Sequence, residues 1–318
     1  MKPIDLHAIK TFPLAERPSK VNLGDLGKLQ QSYQAMKPFF ENLPHQFGAV
    51  SFRKLRDHLL RCQRDKRWAA AAIGGHVIKV GCSPYLIDWM DLGIIKSLAM
   101  NGSAAIHDVE LAIAGKTSED VAPQLKKGEF GMAMETAAAF AGAVKTCTTD
   151  VGLGNALGRW IDENNCPNKQ ASVVWQAYRL GVPCTIHVAL GTDIVHMHPH
   201  VDGAALGLGS MTDFRIICAI VNQMQEGLWL NIGSAVVMPE VFLKAVAVAA
   251  NLGADLSGLI TANMDKEAKY RTRMNVLSRP SAEGIELIGH HEINLPLLHA
   301  AVRAELDPSW NNSFPLFH

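Results

Sequence analysis

Residues 227–264, GLWLNIGSAVVMPEVFLKAVAVAANLGADLSGLITANM, contain the pattern that decides the fold. The apolar run at 228–232 has the length of a buried strand and is too short for a helix. After a Gly-Ser turn, Pro239 begins a helical pattern that ends at Gly253, and a second apolar run follows at 259–262. Strand, small-residue turn, helix and strand predict a right-handed βαβ unit. Such a unit holds anionic ligands at the carboxyl ends of its strands, although it can also be purely structural.

The region that begins at Trp68 has a similar organisation. We expect strands at 76–80 and within 94–100, each followed by a turn and a helix. The turns at 81–84 and 101–103 are rich in Gly, Ser, Cys and Asn, and a backbone that approaches a phosphate requires small residues. Neither turn has the full GxGxxG spacing, so the two units together indicate a ligand crevice more strongly than either motif alone.

Strands alternate with helices along most of the chain, which predicts a Rossmann-like α/β fold with a mostly parallel sheet and helices on both faces. We expect residues 68–318 to form a single domain of this kind. Residues 1–67 are predicted to be an N-terminal arm and a helical extension that packs on the core. Residues 117–120 have the composition of a helix start, and residues 191–209 are predicted to be a long loop.

Composition restricts the class of protein. The 318 residues are 48% hydrophobic and include 30 basic and 30 acidic side chains, which is typical of a folded protein with no net charge. This balance of charges argues against nucleic acid or an anionic membrane as the main binding partner. The six scattered cysteines favour reduced thiols in a cytoplasm. Neither a signal peptide nor a transmembrane helix is expected, because no apolar run reaches about 18 residues.

Two groups of polar residues could carry chemistry. Three histidines alternate along the predicted loop, which suggests rings on one face of an extended segment and hence either a metal site or local hydrogen bonding; they are His196, His198 and His200. The second group, Gly289-His290-His291-Glu292, follows a predicted strand. Glu292 and a neighbouring histidine could act as an acid/base pair, or the group could be a helix N-cap turn.

Four segments resemble the deoxyhypusine synthase family. They are GCSPYLID at 81–88, MNGSAAIHDVE at 100–110, SVVWQAYRLGVPCTIHVALGTD at 172–193, and the pair NIGSAVVM and LITANMD within 231–265. Members of that family are tetrameric transferases with a Rossmann-like domain that binds NAD, and they move an aminobutyl group from spermidine onto a protein lysine. The resemblance implies NAD as cofactor and a homotetramer as the assembly. The positions that it implies for NAD binding are Gly81, Ser83, Asn101, Gly102, Asp108, Glu110, Asp193, Gly233, Ser234, Thr261, Ala262 and Asp265.

The chain departs from the family in the half of the site that handles the polyamine. The family's catalytic lysine lies in a Trp-Gly-Lys motif, whereas this chain has no such motif and no lysine after Lys269. An imine needs a primary amine, so the family's reaction is not expected unless Lys266 or Lys269 replaces that lysine. The family's His-His pair is Pro239-Glu240 here, and its Thr-Asp-Gly loop is replaced by the histidine loop.

The sequence therefore favours a divergent relative that binds NAD or another nucleotide and catalyses an altered reaction on a small molecule. Acid/base chemistry would come from His196, His198, His290, His291 and Glu292. One alternative is a metal-dependent hydrolase that uses His196, His198 and His200. Another is a non-catalytic oligomer that binds a nucleotide.

Overall fold

Six parallel strands form the central sheet of the computed structural model, which describes residues 1–281 and 283–306. A separate antiparallel pair is formed by two short strands, β1 and β4. In chain order the strands are β1 Ser19–Asn22, β2 Ala69–Ile73, β3 Ser97–Asn101, β4 Lys116–Glu119, β5 Cys184–His187, β6 Leu228–Ile232, β7 Ile260–Asp265 and β8 Glu283–Ile288.

The strand order in the large sheet is β5-β3-β2-β6-β7-β8, with every neighbouring pair parallel. Counted within this sheet alone, the order is 3-2-1-4-5-6, which is that of dinucleotide-binding Rossmann folds. The direction of winding reverses between β2 and β6, so the chain leaves these two adjacent strands toward opposite sides. The predicted Rossmann-like parallel sheet is confirmed.

Helices cover both faces of this sheet. They are α1 Lys37–Glu41, α2 Phe47–Arg64, α3 Gly75–Lys79, α4 Ser83–Asp91, α5 Gly102–Ala114, α6 Val121–Lys127, α7 Met134–Ala143, α8 Leu153–Glu163, α9 Val173–Leu180, α10 Gly203–Val221, α11 Val237–Asn251, α12 Tyr270–Thr272 with a π-helical continuation at Arg273–Ser278, and α13 His291–Glu305. Strand β2 illustrates why two cores form, because its side chains alternate between the faces. Ala69, Ala71 and Ile73 pack with α2, α4, α5 and α13, whereas Ala70 and Ala72 pack with α10 and α11.

The N-terminal arm is attached to the rest of the chain by backbone pairing. Strand β1 pairs with β4, and Phe12 exchanges backbone hydrogen bonds with Met132 and Met134. The expected helix start at 117–120 is therefore wrong for residues 117–119, which complete β4, whereas Asp120 directly precedes the helix that begins at Val121. The partner of β4 lies about a hundred positions earlier in the sequence, so no local pattern indicated it.

The predicted strand at 76–80 is also wrong. The strand is the alanine-rich run β2, and residues 75–79 form the short helix α3. Four consecutive alanines have little intrinsic strand preference, and burial on both faces of a parallel sheet overrides it. The predicted loop at 191–209 ends early, because Asp202 accepts hydrogen bonds from the amides of Ala204 and Ala205 and so caps α10.

Helix α10 is long and apolar enough to cross a membrane by length and composition, with a mean hydropathy of 1.5. Such a helix also occurs in the cores of soluble proteins. Here 44% of the apolar window is buried, and the helix packs on α11, α8 and β5. The expectation that the chain has no transmembrane helix stays a prediction.

Candidate functional site

At the reversal point, β2 and β6 are each followed directly by glycine, and the turns that begin at Gly74 and Gly233 are in contact. The backbone amide of Gly74 donates to the carbonyl of Ile232. A Cβ atom at Gly74 would lie 2.2 Å from the carbonyl oxygen of Gly233, and one at Gly75 would lie 2.4 Å from Oγ of Ser103. Gly233 has φ +65°, which favours glycine. The carboxyl edge of the sheet is thus lined by backbone at the position where Rossmann folds bind ligands.

The turn at 81–84 is not at this edge. Gly81 and Ser83 follow α3, roughly 9 Å along the helix from the end of β2. The carbonyl of Gly81 accepts from the amide of Gly27, and a Cβ there would lie 2.4 Å from the carbonyl oxygen of Asp25. Ser83 is buried. The prediction that Gly81 and Ser83 follow a strand is wrong. The small residues that directly follow the strand are Gly74 and Gly75.

The turn at 101–103 does lie at the carboxyl edge of the sheet. Asn101 ends β3 and caps α5 by accepting from the amide of Ala104 at 2.9 Å. Gly102 leaves room for the carboxylate of Asp193, because a Cβ at Gly102 would lie 2.1 Å from Asp193 Oδ2. That oxygen is buried and has no hydrogen-bond partner within the described part of the chain. Burial raises the pKa of Asp193 to about 6.

The turns predicted at Gly233-Ser234 and at Thr261-Ala262 agree with the structure only in part. Gly233 and Ser234 follow β6 as predicted, and Ser234 Oγ accepts from the amide of Met238 at the start of α11. Thr261 and Ala262, however, lie inside β7, because that strand begins at Ile260 and continues to Asp265. Both are fully buried and cannot reach a ligand at the strand end, so their assignment to the cofactor is wrong. Asp265 is the residue at the edge.

His291 lies at the centre of this edge. It is the first residue of α13, and its Nε2 is 3.9 Å from Asp265 Oδ1 and 2.7 Å from the position of a Cβ on Gly233. His76, exposed at the start of α3, makes an edge contact with its ring at 5.9 Å between centroids. Burial lowers the pKa of His291, although the nearby Asp265 carboxylate opposes this. His290 and Glu292 flank it as an exposed pair, 3.3 Å apart.

Asp108 and Glu110 both have protein partners. The carboxylate of Asp108 is fully buried and accepts from Ser172 Oγ at 2.5 Å and from the amides of Val173 and Val174, which begin α9. Asp108 therefore does not face the crevice; the pattern of a helix does not indicate which of its sides does. Glu110 makes two 2.7 Å hydrogen bonds with Arg17 but lines the cavity described below, so its assignment to a ligand stays a prediction.

The three histidines of the loop do not converge. Residues 194–197 form a 3-10 turn instead of an extended segment, so the alternation of side chains is lost. His196 Nδ1 accepts from the amides of Gly191 and Asp193, while Nε2 of the buried His198 lies 2.8 Å from the carbonyl of Gly131. His200 is exposed and lines another cavity. Within residues 1–281 and 283–306 no cluster of three metal-ligating side chains occurs, so the proposed metal set at His196, His198 and His200 is wrong.

A cavity of ≈ 240 Å³ opens beside the start of α5. Its polar lining combines both charges and one histidine: Arg17, Lys79, Ser103, His107, Glu110, Ser118, Glu119, Thr192 and Asp193. Of these, the sequence analysis had singled out Glu110 and Asp193. His76, Gly74, Gly75 and His107 were missed as site residues, and the pair of glycines after the alanine run was the available signal for the turn.

Comparison with known proteins gives a fold and no closer relationship. A scan of the sequence against protein-family models and a search of curated proteins both find no match. Among solved structures, a conserved putative LOR/SDH protein from Methanococcus maripaludis S2 aligns with a TM-score of 0.54 at 16% identity, over 91% of this chain and 76% of that one. A putative deoxyhypusine synthase from Entamoeba histolytica, at a TM-score of 0.48 and 10% identity over 80% of this chain and 87% of that one, is too distant in structure to support an argument.

AgrE, in its ternary complex with ornithine and NAD+, aligns with a TM-score of 0.55 at 12% identity over 82% of this chain. This chain spans about a third of AgrE and of ArgZ, an arginine dihydrolase from cyanobacteria, covering 34% and 32% of their lengths. At these identities the likeness concerns the fold alone. The chain is accordingly a protein with a Rossmann-like α/β fold, which it shares with these neighbours.

Proposed function

We propose that this chain is an enzyme that binds NAD at the carboxyl edge of the sheet and catalyses a reaction other than lysine-dependent deoxyhypusine synthesis. The observation that carries the proposal is the reversal point between β2 and β6, where Gly74, Gly75 and Gly233 have no side chains and the two turns therefore approach closely. The N-terminus of α3 begins there, although its five residues make the helix too short to supply a strong dipole by itself.

The residues around this edge fit a dinucleotide. Glycine directly follows three neighbouring strands, β3, β2 and β6, and the buried polar atoms without a partner in the described residues include Asp193 Oδ2 and His291 Nδ1. A group with hydroxyl or amide hydrogens and acceptors would satisfy both. AgrE, whose complex contains NAD+, has this fold and supports the choice of nucleotide.

The strand order divides the site into two halves. In Rossmann folds the dinucleotide crosses the reversal point, with one mononucleotide unit on each side. The adenosine half would lie over β2, β3 and β5, beside Asp193 and the ≈ 240 Å³ cavity. The nicotinamide half would lie over β6, β7 and β8, beside His291 and Asp265.

The side chains of the second half suit proton transfer. Bound NAD would supply the hydride acceptor or donor. His291 is neutral at neutral pH, because burial lowers its pKa, and it can take a proton from a substrate hydroxyl or amine. Asp265, 3.9 Å away, would stabilise the charged imidazolium that results, and His76 could pass the proton to solvent.

The lysines near this edge do not support the family's imine chemistry. Lys269 pairs with Glu267 at 2.5 Å and Lys266 is exposed, so neither side chain is desolvated. A nucleophilic lysine needs a lowered pKa, whereas pairing with Glu267 raises the pKa of Lys269.

Thermal unfolding with and without nucleotide tests the proposal. NAD+ or NADH at about a hundredfold excess over Kd should stabilise the fold by about 3 kcal/mol and raise Tm by roughly 5 °C. ATP at the same concentration is the control for unspecific anion binding. Unchanged Tm values with NAD+, NADH and NADP+ would rule out the proposed cofactor, and binding without turnover on any amine or alcohol tested would favour a nucleotide-binding oligomer.

A further inference from the structure

A chain of buried hydrogen bonds links the N-terminal arm to His107. His107 Nδ1 lies 2.8 Å from Thr117 Oγ1, and that hydroxyl donates to Glu110 Oε2 at 2.6 Å. Glu110 in turn makes two 2.7 Å hydrogen bonds with Arg17 and accepts from Thr136 Oγ1 at 2.9 Å. Arg17, Glu110 and Thr117 are at most 2% exposed. Four separate segments, the arm, α5, β4 and α7, therefore meet in one network.

Counting the hydrogens in this network fixes the tautomer of His107. The bidentate pair with Arg17 favours the carboxylate form of Glu110, which can only accept. Thr117 has a single hydroxyl hydrogen, and at 2.6 Å from a carboxylate oxygen it must donate it there. The hydroxyl oxygen can then only accept from His107, so the hydrogen of the imidazole is on Nδ1 and Nε2 carries a lone pair.

His107, whose Nε2 carries this lone pair, lines the cavity beside the turn at Gly74 and Gly75. His107 lines the ≈ 240 Å³ cavity together with Ser103, Lys79 and Asp193. Its Cδ2, the neighbour of Nε2 in the ring, is 3.2 Å from the position of a Cβ on Gly75. Across residues 1–281 and 283–306 no protein group hydrogen-bonds to Nε2. Burial lowers the pKa of His107 to about 4, so the ring stays neutral at neutral pH.

We propose that His107 is a specificity residue whose Nε2 accepts a hydrogen bond from a ligand hydroxyl in this cavity, and that Arg17 fixes its tautomer through Glu110 and Thr117. This inference rests on the proposed function, because the hydroxyl in question is that of the adenosine ribose. Two acceptors, His107 Nε2 and Asp193 Oδ2, fit the two donors of an unmodified ribose diol. A phosphate on that ribose has no hydrogen to give and would repel Asp193, so the cavity should prefer NAD to NADP.

The tautomer can be measured without any ligand. In protein labelled with ¹⁵N-histidine, NMR should report the Nδ1–H form for His107, with the signal assigned by its loss in His107→Asn. Thr117→Val removes the acceptor and should give a mixture of tautomers, whereas Thr117→Ser should retain the Nδ1–H form. Finding the Nε2–H form in the wild-type protein would overturn the inference.

Two substitutions at the same position test the contact with the ribose by calorimetric titration of NAD+. His107→Asn keeps a donor toward Thr117 but loses the Nε2 acceptor, so NAD+ binding should weaken about tenfold. His107→Gln can place an amide oxygen where Nε2 was and should weaken it less. Equal affinity of the wild type and His107→Asn would contradict the ribose contact, as would equal affinity of the wild type for NAD+ and NADP+. If the wild type binds no NAD+, the proposed function is wrong and the ribose contact with it, while the NMR measurement still decides whether Thr117 fixes the Nδ1–H tautomer of His107.

Discussion

Three aspartates contribute carboxylates to the starts of helices on other segments. Asp108 caps α9, and Asp213 lies at the start of α8, where its Oδ2 accepts from the amides of Gly154 and Ile186. Asp193 lies against Gly102 at the start of α5. In the described residues Asp213 Oδ1 and Asp193 Oδ2 are both buried without a hydrogen-bond partner. Asp193 differs from the other two aspartates because it lines the ≈ 240 Å³ cavity, and this position marks it as the one open to a ligand.

The buried carboxylate of Asp193 should reduce the free energy of unfolding above acidic pH. Burial raises its pKa from 3.8 to about 6, so the folded state binds the proton more tightly than the unfolded state. The stabilising contribution of the proton is complete below pH 4 and is lost as the pH rises through about 6. Relative to wild type, Asp193→Asn should therefore gain about 1–2 kcal/mol in unfolding free energy at pH 8 and little at pH 4.

Urea unfolding of both proteins at these two pH values measures the difference. His200→Asn, which changes an exposed side chain of the same loop, is the control. A loss of stability at pH 8 in Asp193→Asn would mean that the carboxylate has a protein partner and is not reserved for a ligand.

The close contact between the turns that follow β2 and β6 depends on glycine at position 74. Gly74→Ala would place a methyl group 2.2 Å from the carbonyl oxygen of Gly233 and 2.8 Å from its carbon, both backbone atoms that cannot rotate away. We expect a loss of about 3 kcal/mol in unfolding free energy, because the two strand ends must separate. In Gly207→Ala, within α10, the new Cβ would meet nothing within 4 Å. That control should be neutral or stabilising by up to about 1 kcal/mol.

Calorimetric or urea unfolding compares the two variants. Similar stabilities for Gly74→Ala and Gly207→Ala would contradict the close approach of the turns on which the proposed crevice depends.

Arg17 of the N-terminal arm is a buried cation, so replacing its side chain should lower the free energy of unfolding substantially. Arg17→Ala leaves Glu110 buried without its cation, and we expect a loss of about 3–5 kcal/mol. Lys20→Ala breaks the exposed pair with Asp120 and should change stability by less than about 1 kcal/mol. Equilibrium unfolding of both variants is the measurement, and an Arg17→Ala protein as stable as Lys20→Ala would show that the arm is not part of the fold.

At the scale of the whole molecule, the fold could be predicted because its strands are short apolar runs between turns and helices. Leu228–Ile232 coincides with the predicted run, since a central parallel strand is buried on both faces and reads as continuously apolar. Strand β2 was displaced in the prediction because alanine favours helices and has little strand preference, so only burial in the sheet makes this run a strand.

The site was less predictable because its contacts join distant parts of the sequence. Arg17 and Glu110 are 93 positions apart, and Asp108 and Ser172 are 64 apart. The pattern of one helix gives no information on such pairs, so Asp108 and Glu110 were assigned to a ligand when each already had a protein partner. The homotetramer implied by the family resemblance is still a prediction, which light scattering of the purified protein would test.

The most direct test of the account is a crystal structure of the protein grown with saturating NAD+. The pyrophosphate should lie within about 3 Å of the backbone amide of Gly75, the first residue of α3. The adenosine ribose should contact Asp193 and His107, and the nicotinamide should lie beside His291. A nucleotide bound elsewhere on the molecule, or crystals that remain free of nucleotide at saturating concentration, would contradict it.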